Sequence, residues 1–258
     1  MIKINKYKIA ILSLMISFDA FAKENINYPG VSSVKNERVA AGCTPSTSQT
    51  DLDVNNVRTT IMGGGDMWWN LDDARYEIPK DGNKHSMFAG ALWIGGVDAG
   101  GQLKVAAMTY RQGGNDFWPG PLDVNTATIT TEECEKWDKH YKINRSEVEQ
   151  FVSDFDNSNG VINQSDIPES ILEWPAHGDV SQGQDYYLAP FYDRNGDGNY
   201  DPFSGDYPDY NVSGTNDDSK LYGDQTLFWI FNDKGNIHTE SEAEALDTFL
   251  AGNTLFDY

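Results

Sequence analysis

The chain has 258 residues, 40 of them Asp or Glu against 19 Lys or Arg, which gives a formal net charge of −21 at pH 7. A surface of that sign repels nucleic acid and anionic membranes, and crowded carboxylates lower the cost of holding divalent cations. With 12% aromatic residues and seven Trp, the chain can bury a sizeable core, which excludes disorder over most of its length.

Residues 1–22 open with Lys3, Lys6 and Lys8, continue through the apolar run Ile9 to Phe18, and end in Ala20-Phe21-Ala22 before Lys23. This is the three-part layout of a signal peptide, so the chain is expected to be secreted or held at the cell surface. The apolar run is about half the roughly 20 residues that a bilayer-crossing helix needs. No later stretch is long enough either, so no membrane span is expected. Cleavage after Ala22 removes three Lys and one Asp and takes the charge to −23.

Residues 23–55 are rich in Ser, Thr, Asn and Pro without hydrophobic periodicity and are expected to be a flexible leader. A single domain over 56–258 follows. Gly63-Gly64-Gly65 lacks the Lys-Ser/Thr of a phosphate loop and precedes Asp66, Trp68 and Trp69, so it reads as a turn before a buried aromatic pair. Ser86 to Val97 and Leu103 to Arg111 are apolar and aromatic around the turn Asp98-Ala99-Gly100-Gly101, which predicts a hairpin. Imperfect alternation in these runs suits strands buried on both sides.

Helical signals then cluster over 130–174. Thr130 and Glu133 fit a capping box, with Cys134, Trp137 and Tyr141 at apolar spacings of three and four. A second helix is predicted to start near Ser146, answered by Glu149, with the stripe Val148, Phe151, Val152 and Phe155. A short third one runs from Pro168 to Trp174, stopped by Pro175. Tyr186 to Tyr192 and Thr226 to Asn232 read as further strands. The fold class is therefore mainly β, a β-sandwich or stacked-sheet arrangement, with a small helical insertion at 130–174.

Cys43 and Cys134 are the two cysteines. In an exported protein pairing is the default, while a buried free thiol on the helix face of Cys134 also fits. Neither has partner ligands at zinc spacing.

The most informative chemistry lies between the last predicted strands. Counting Asp193 as position one, Asn195 and Asp197 fall at three and five, Gly198 at six, Asn199 at seven through its carbonyl, and Asp201 at nine. A hard cation takes six to eight oxygen ligands, and adjacent residues supply them only in a tightly curled loop of this kind. Position twelve is Ser204, where an EF-hand has a bidentate Glu, and no good helices flank the loop, so Asp206 is expected to close the coordination sphere instead. Calcium is the expected ion, bound weakly, on the order of 10⁻⁴ to 10⁻³ M. An ordinary Asp/Asn/Gly surface turn is the alternative.

Asp154, Asp156, Ser158 and Gly160 imitate this pattern at the wrong glycine spacing and read as a helix-ending turn. Trp68, Trp69, Trp93, Trp118, Trp174 and Phe117 can stack on sugar rings where exposed, though core packing is the default for each. His85, His140, His177 and His238 show no zinc or triad spacing.

The blocks Asn55-Asn56-Val57-Arg58, Gly65-Asp66-Met67-Trp68-Trp69, SMFAGALWIGG from Ser86, KVAAMTYRQGGNDFWP from Lys104, Ala189 to Asp197, and LYGDQTLFWIFNDKGNIHTES from Leu221 together resemble the N-terminal region of large secreted proteins of Bacteroidota. The resemblance spans residues 55–241. It implies export followed by type IX secretion, through a C-terminal sorting domain, and carries no catalytic residues. After Ser241 the similar text gives way to EAEALDTFLAGNTLFDY, with no sorting domain before Tyr258. The domain is therefore expected to be truncated at its C-terminus, with the remainder of a longer polypeptide as one partner. The combined expectation is a noncatalytic, calcium-stabilised adhesion or assembly module that meets surface polysaccharide or other cell-surface proteins. The alternative is a carbohydrate-binding or carbohydrate-cleaving protein.

Overall fold

The computed structural model describes residues 43–97, 101, 103–108, 116–212 and 218–234. The predicted signal peptide, most of the predicted leader, the turn at 98–100 and the tail after 234 lie outside the described residues.

In chain order the elements are β1 (Gln49–Leu52), β2 (Arg58–Met62), β3 (Asp66–Met67), β4 (Tyr76–Glu77), β5 (His85–Met87), β6 (Gly90–Ala91), β7 (Trp93–Val97), β8 (Leu103–Ala107) and β9 (Trp118–Pro119). Then come α1 (Thr131–Trp137), β10 (Tyr141–Asn144), α2 (Arg145–Asn157), α3 (Glu169–Leu172), β11 (Phe191–Tyr192), β12 (Tyr207–Pro208), β13 (Gln225–Phe228) and β14 (Phe231–Asn232). The fold is mainly β, as the sequence predicts. Among the described residues the strands form one six-stranded antiparallel sheet, ordered β5-β4-β2-β3-β6 with β1 added on β2, and four two-stranded pairs. Among the described residues no helix is long and apolar enough to cross a membrane.

The first correction concerns the leader. Residues 43–55 are built into the fold: β1 pairs with β2 from Gln49 opposite Met62 to Leu52 opposite Thr59. Cys43 is joined to Cys134, with Cα atoms 5.8 Å apart. Asp138 gathers the segment between, accepting from the Thr47 N–H at 2.8 Å, the Thr47 hydroxyl at 3.0 Å, the Ser48 N–H at 3.3 Å and the Ser46 hydroxyl. Burial opposes the charge on Asp138, but these donors outweigh it and hold its pKa below the usual carboxylate value. Gly63 is required here, because a Cβ at that position would collide with the hydroxyls of Ser46 and Ser48.

The predicted hairpin exists as β7 paired with β8, Trp93 opposite Ala107. The run from Ser86 is not one strand: β5 and β6 leave it to pair with β4 and β3. β7 is also not buried on both sides. Its residues alternate, and Trp93 and Val97 face solvent.

The helical region has all three predicted helices with a strand between the first two. α1 is capped by Thr130, whose hydroxyl accepts from the Glu133 N–H at 3.3 Å. It ends at Trp137, and Tyr141, predicted on its apolar face, sits instead in β10 opposite Phe228 of β13. The cap of α2 lies two residues before the predicted Ser146. Asn144 takes that place, its N–H and side-chain amide both donating to Glu147 Oε2 at 3.0 and 2.9 Å. The stripe Val148, Phe151 and Phe155 is buried, with Ile167, Ile171, Trp174, Ala189, Tyr207, Tyr210 and Leu221 in the same cluster. α2 and α3 are thus the floor on which β11 and β12 lie.

Candidate functional site: the acidic loop between β11 and β12

The predicted strand over Tyr186 to Tyr192 shortens to β11, and its partner is β12, with Tyr192 opposite Tyr207. These two rings stack at 4.8 Å with 21° between their planes. Everything from Asp193 to Asp206 is the loop that this pair closes.

The loop begins as a set of nested turns in which Asp193, Asn195 and Asp197 each accept from backbone just ahead. Asp193 Oδ1 accepts from the N–H of Gly196 at 2.7 Å and of Asp197 at 3.3 Å, and its Oδ2 accepts from the Gly198 N–H at 2.7 Å. Asn195 Oδ1 accepts from the Asp197 N–H at 2.9 Å, and Asp197 Oδ1 from the Asn199 N–H at 2.7 Å. This is why the residue types alternate: a short acceptor side chain at one position turns the amide two ahead inward. Gly196 and Gly198 take φ of +74° and +79°, which a side chain would resist.

Asp201 departs from this row. Its Oδ1 accepts from the Phe203 N–H at 3.0 Å and its Oδ2 from the Ser204 hydroxyl at 2.8 Å, so it caps the short 3₁₀ turn at Pro202–Ser204. Asp206 is fully buried beneath the loop and ties its two ends, accepting from the Arg194 N–H at 2.9 Å and the Asp201 N–H at 2.8 Å. Burial raises its pKa, the charges of Asp193 and Asp197 push the same way, and the two N–H donors oppose. Asp197 is shifted the other way, held low by the Asn199 N–H and the Asn195 amide.

Three residues outside the predicted set hold the loop in place. His177 Nε2 accepts from the Tyr200 N–H at 2.8 Å, so the ring proton sits on Nδ1 and donates to the Tyr186 carbonyl at 2.9 Å. Tyr186 donates its hydroxyl to Asn199 Oδ1 at 2.6 Å. Arg194 reaches out of the loop to Asp156 at 2.8 Å and lies 4.8 Å over the Phe155 ring. That pairing gives Asp156 a structural role on α2, in keeping with its reading as part of a helix end. No spacing rule reveals His177, Tyr186 or Arg194, since their partners lie 9 to 38 positions away.

Among the described residues no three carboxylate, histidine or cysteine side chains form a ready metal-ligand group. Asp193, Asn195, Asp197 and Asn199 share one turn system, Asp206 lies under it, and Asp201 faces the 3₁₀ turn. The donor set is nonetheless all oxygen, and a carboxylate oxygen that accepts one N–H retains a second lone pair. The loop's only cation, Arg194, has its guanidinium turned away to Asp156. Such a set suits a hard cation in preference to zinc or copper.

Of the aromatics considered for sugar stacking, Trp69, Trp118, Trp174 and Phe117 are core residues. Trp68 is half-buried against Tyr76. Trp93 is 68% exposed, its indole N–H donating to the Met108 carbonyl at 3.0 Å. Comparison of the chain with protein-family models, with curated proteins and with solved structures finds no match in any of the three.

Proposed function

We propose that this chain is a noncatalytic, calcium-stabilised module of a secreted or cell-surface protein, with an adhesion or assembly role. The observation that carries the reading is the loop itself: the carboxylates and amides of Asp193, Asn195, Asp197 and Asn199 share one tight turn system whose two ends are tied by buried Asp206. A bound calcium ion would be held by Asp193, Asn195, Asp197, the Asn199 carbonyl, Asp201 and Asp206. It would supply the positive charge that this group otherwise lacks. By binding only the folded form it would add stability by mass action. Export is supported by the lysine-rich, apolar and small-residue layout of residues 1–22. The role is structural because the carboxylates of the cluster are engaged in holding the backbone of the loop.

The test is a thermal melt with calcium and with chelator, on the parent chain and on Asp193→Ala plus Asp197→Ala. Calcium should raise the parent's midpoint and leave the double variant's unchanged. Equal parent midpoints in both solutions would remove the reading.

A further inference from the structure

Beside the acidic loop lies a cleft of about 520 Å³, walled among others by Asp185, Tyr187, Phe191, Asp193, Asp209 and Lys220. Tyr187 is 59% exposed, yet its ring is fixed. It stands edge-on to Tyr186 at 4.9 Å and 78°, lies 5.7 Å from the His177 ring, and runs nearly parallel to Phe191 at 6.3 Å and 22°. An exposed aromatic face already held in one orientation gives up little conformational freedom when something stacks on it. The loop backs this ring, since a Cβ on Gly198 would come within 3.0 Å of the Tyr187 hydroxyl. The far wall is equally firm: Asp209 is buried and accepts from the Lys220 N–H at 3.0 Å.

We propose that this cleft binds a neutral carbohydrate, one sugar ring stacking on Tyr187 while its hydroxyls bond to Asp185 and Lys220. Sugar hydroxyls both donate and accept, which suits a cleft lined by three Asp and a Lys. A sugar also presents an apolar C–H face to an aromatic ring. Three carboxylates against one Lys repel phosphates, uronates and nucleic acid. The inference gives the adhesion reading a ligand class and rests on it for biological role, but the binding itself does not require calcium.

The experiment is titration calorimetry of the full chain with cellohexaose, mannohexaose and chitohexaose, and with hexalysine as a cationic probe, each in calcium and in chelator. Tyr187→Ala should weaken sugar binding by about tenfold or more, which is about 1.4 kcal/mol. Tyr187→Phe, which keeps the ring, and Trp93→Ala, on the separate hairpin, should leave it unchanged. Circular dichroism confirms that each variant is folded, and Asp185→Asn provides a second loss of binding if Tyr187→Ala is not. No saturable binding of any hexasaccharide, undiminished binding in both Tyr187→Ala and Asp185→Asn, or binding of hexalysine alone would overturn the proposal. Sugar binding with no calcium effect on melting sinks only the calcium reading, and a calcium effect without sugar binding sinks only this one.

Discussion

Two polar segments of this molecule, residues 43–55 and the loop Asp193–Asp206, are ordered by opposite means. The loop is ordered from within: most of its side-chain bonds span two to five positions, and its two ends meet at Tyr192 and Tyr207. The earlier segment, apart from the pairing of β1 with β2, is ordered from far away. Its cysteine is bonded to a residue 91 positions on, Asp138 collects Ser46, Thr47 and Ser48 across similar distances, and the Asp53 N–H donates to Gln225, 172 positions away. Asp53 also pairs with Lys142 at 3.0 Å, and that contact, with the Gln225 amide, lowers its pKa despite partial burial. A locally wired loop keeps its turns when a neighbour fails, whereas a remotely wired segment is only as ordered as the rest of the domain.

The contrast predicts graded losses. Replacing Cys43 and Cys134 by Ser should cost the most, about 4–5 kcal/mol on the chain-entropy view for a closed loop of 91 residues. Chemical denaturation of the variant checks this, and a loss below about 1 kcal/mol would show that β1 and Asp138 hold the segment without the bond. Next comes His140, which packs on the Trp229 ring at 5.2 Å beside Asp138. Burial drives its pKa down to about 4, with the Asp138 charge opposing. A depressed pKa means that the stability held by neutral His140 is complete above about 6.5 and is lost as pH falls toward 4. The loss is about 3 kcal/mol, and His140→Phe should flatten the stability profile in that window. If the parent shows no slope there, the site is wetter than its packing implies.

Asp138→Ala should cost about 2 kcal/mol, because it strands the hydroxyl of buried Ser46 and the N–H of half-buried Ser48. Amide exchange should then speed up in 46–52 before it does in 193–206; simultaneous loss would erase the distinction between the two segments. Calcium is the smallest term. At a tenfold excess over its dissociation constant the ion adds about 1.4 kcal/mol, and the added protection should concentrate in 193–206.

The same contrast explains how much the sequence discloses. The loop was legible because its bonds are local: a side-chain acceptor and the amide two or three positions ahead leave a spacing that can be read directly. The stripe Val148, Phe151 and Phe155 was legible for the same reason, since helix periodicity is a local property. Residues 43–55 looked like a leader because nothing near them is apolar enough to imply burial. Apart from β2, their partners sit at α1 and in β13, and composition cannot show a pairing across such distances. Tyr141 was misplaced by the same limit, since its spacing fits a helix while Phe228 opposite it makes it a strand. His177, which fixes the loop through the Tyr200 N–H, leaves no mark at all in the local text.

The capture of Ser46, Thr47 and Ser48 by Asp138 also sets a schedule. On a ribosome these residues emerge some ninety positions before the carboxylate that receives them. Through that interval β1 can lie against β2, and its outer end has the Gly63 N–H on the Ser48 carbonyl at 3.0 Å but not yet the carboxylate. The Asp53 to Gln225 bond is later still. The first described stretch of chain to be made is therefore the last to be locked, and the domain gains its full grip on its own beginning only when β13 is in place.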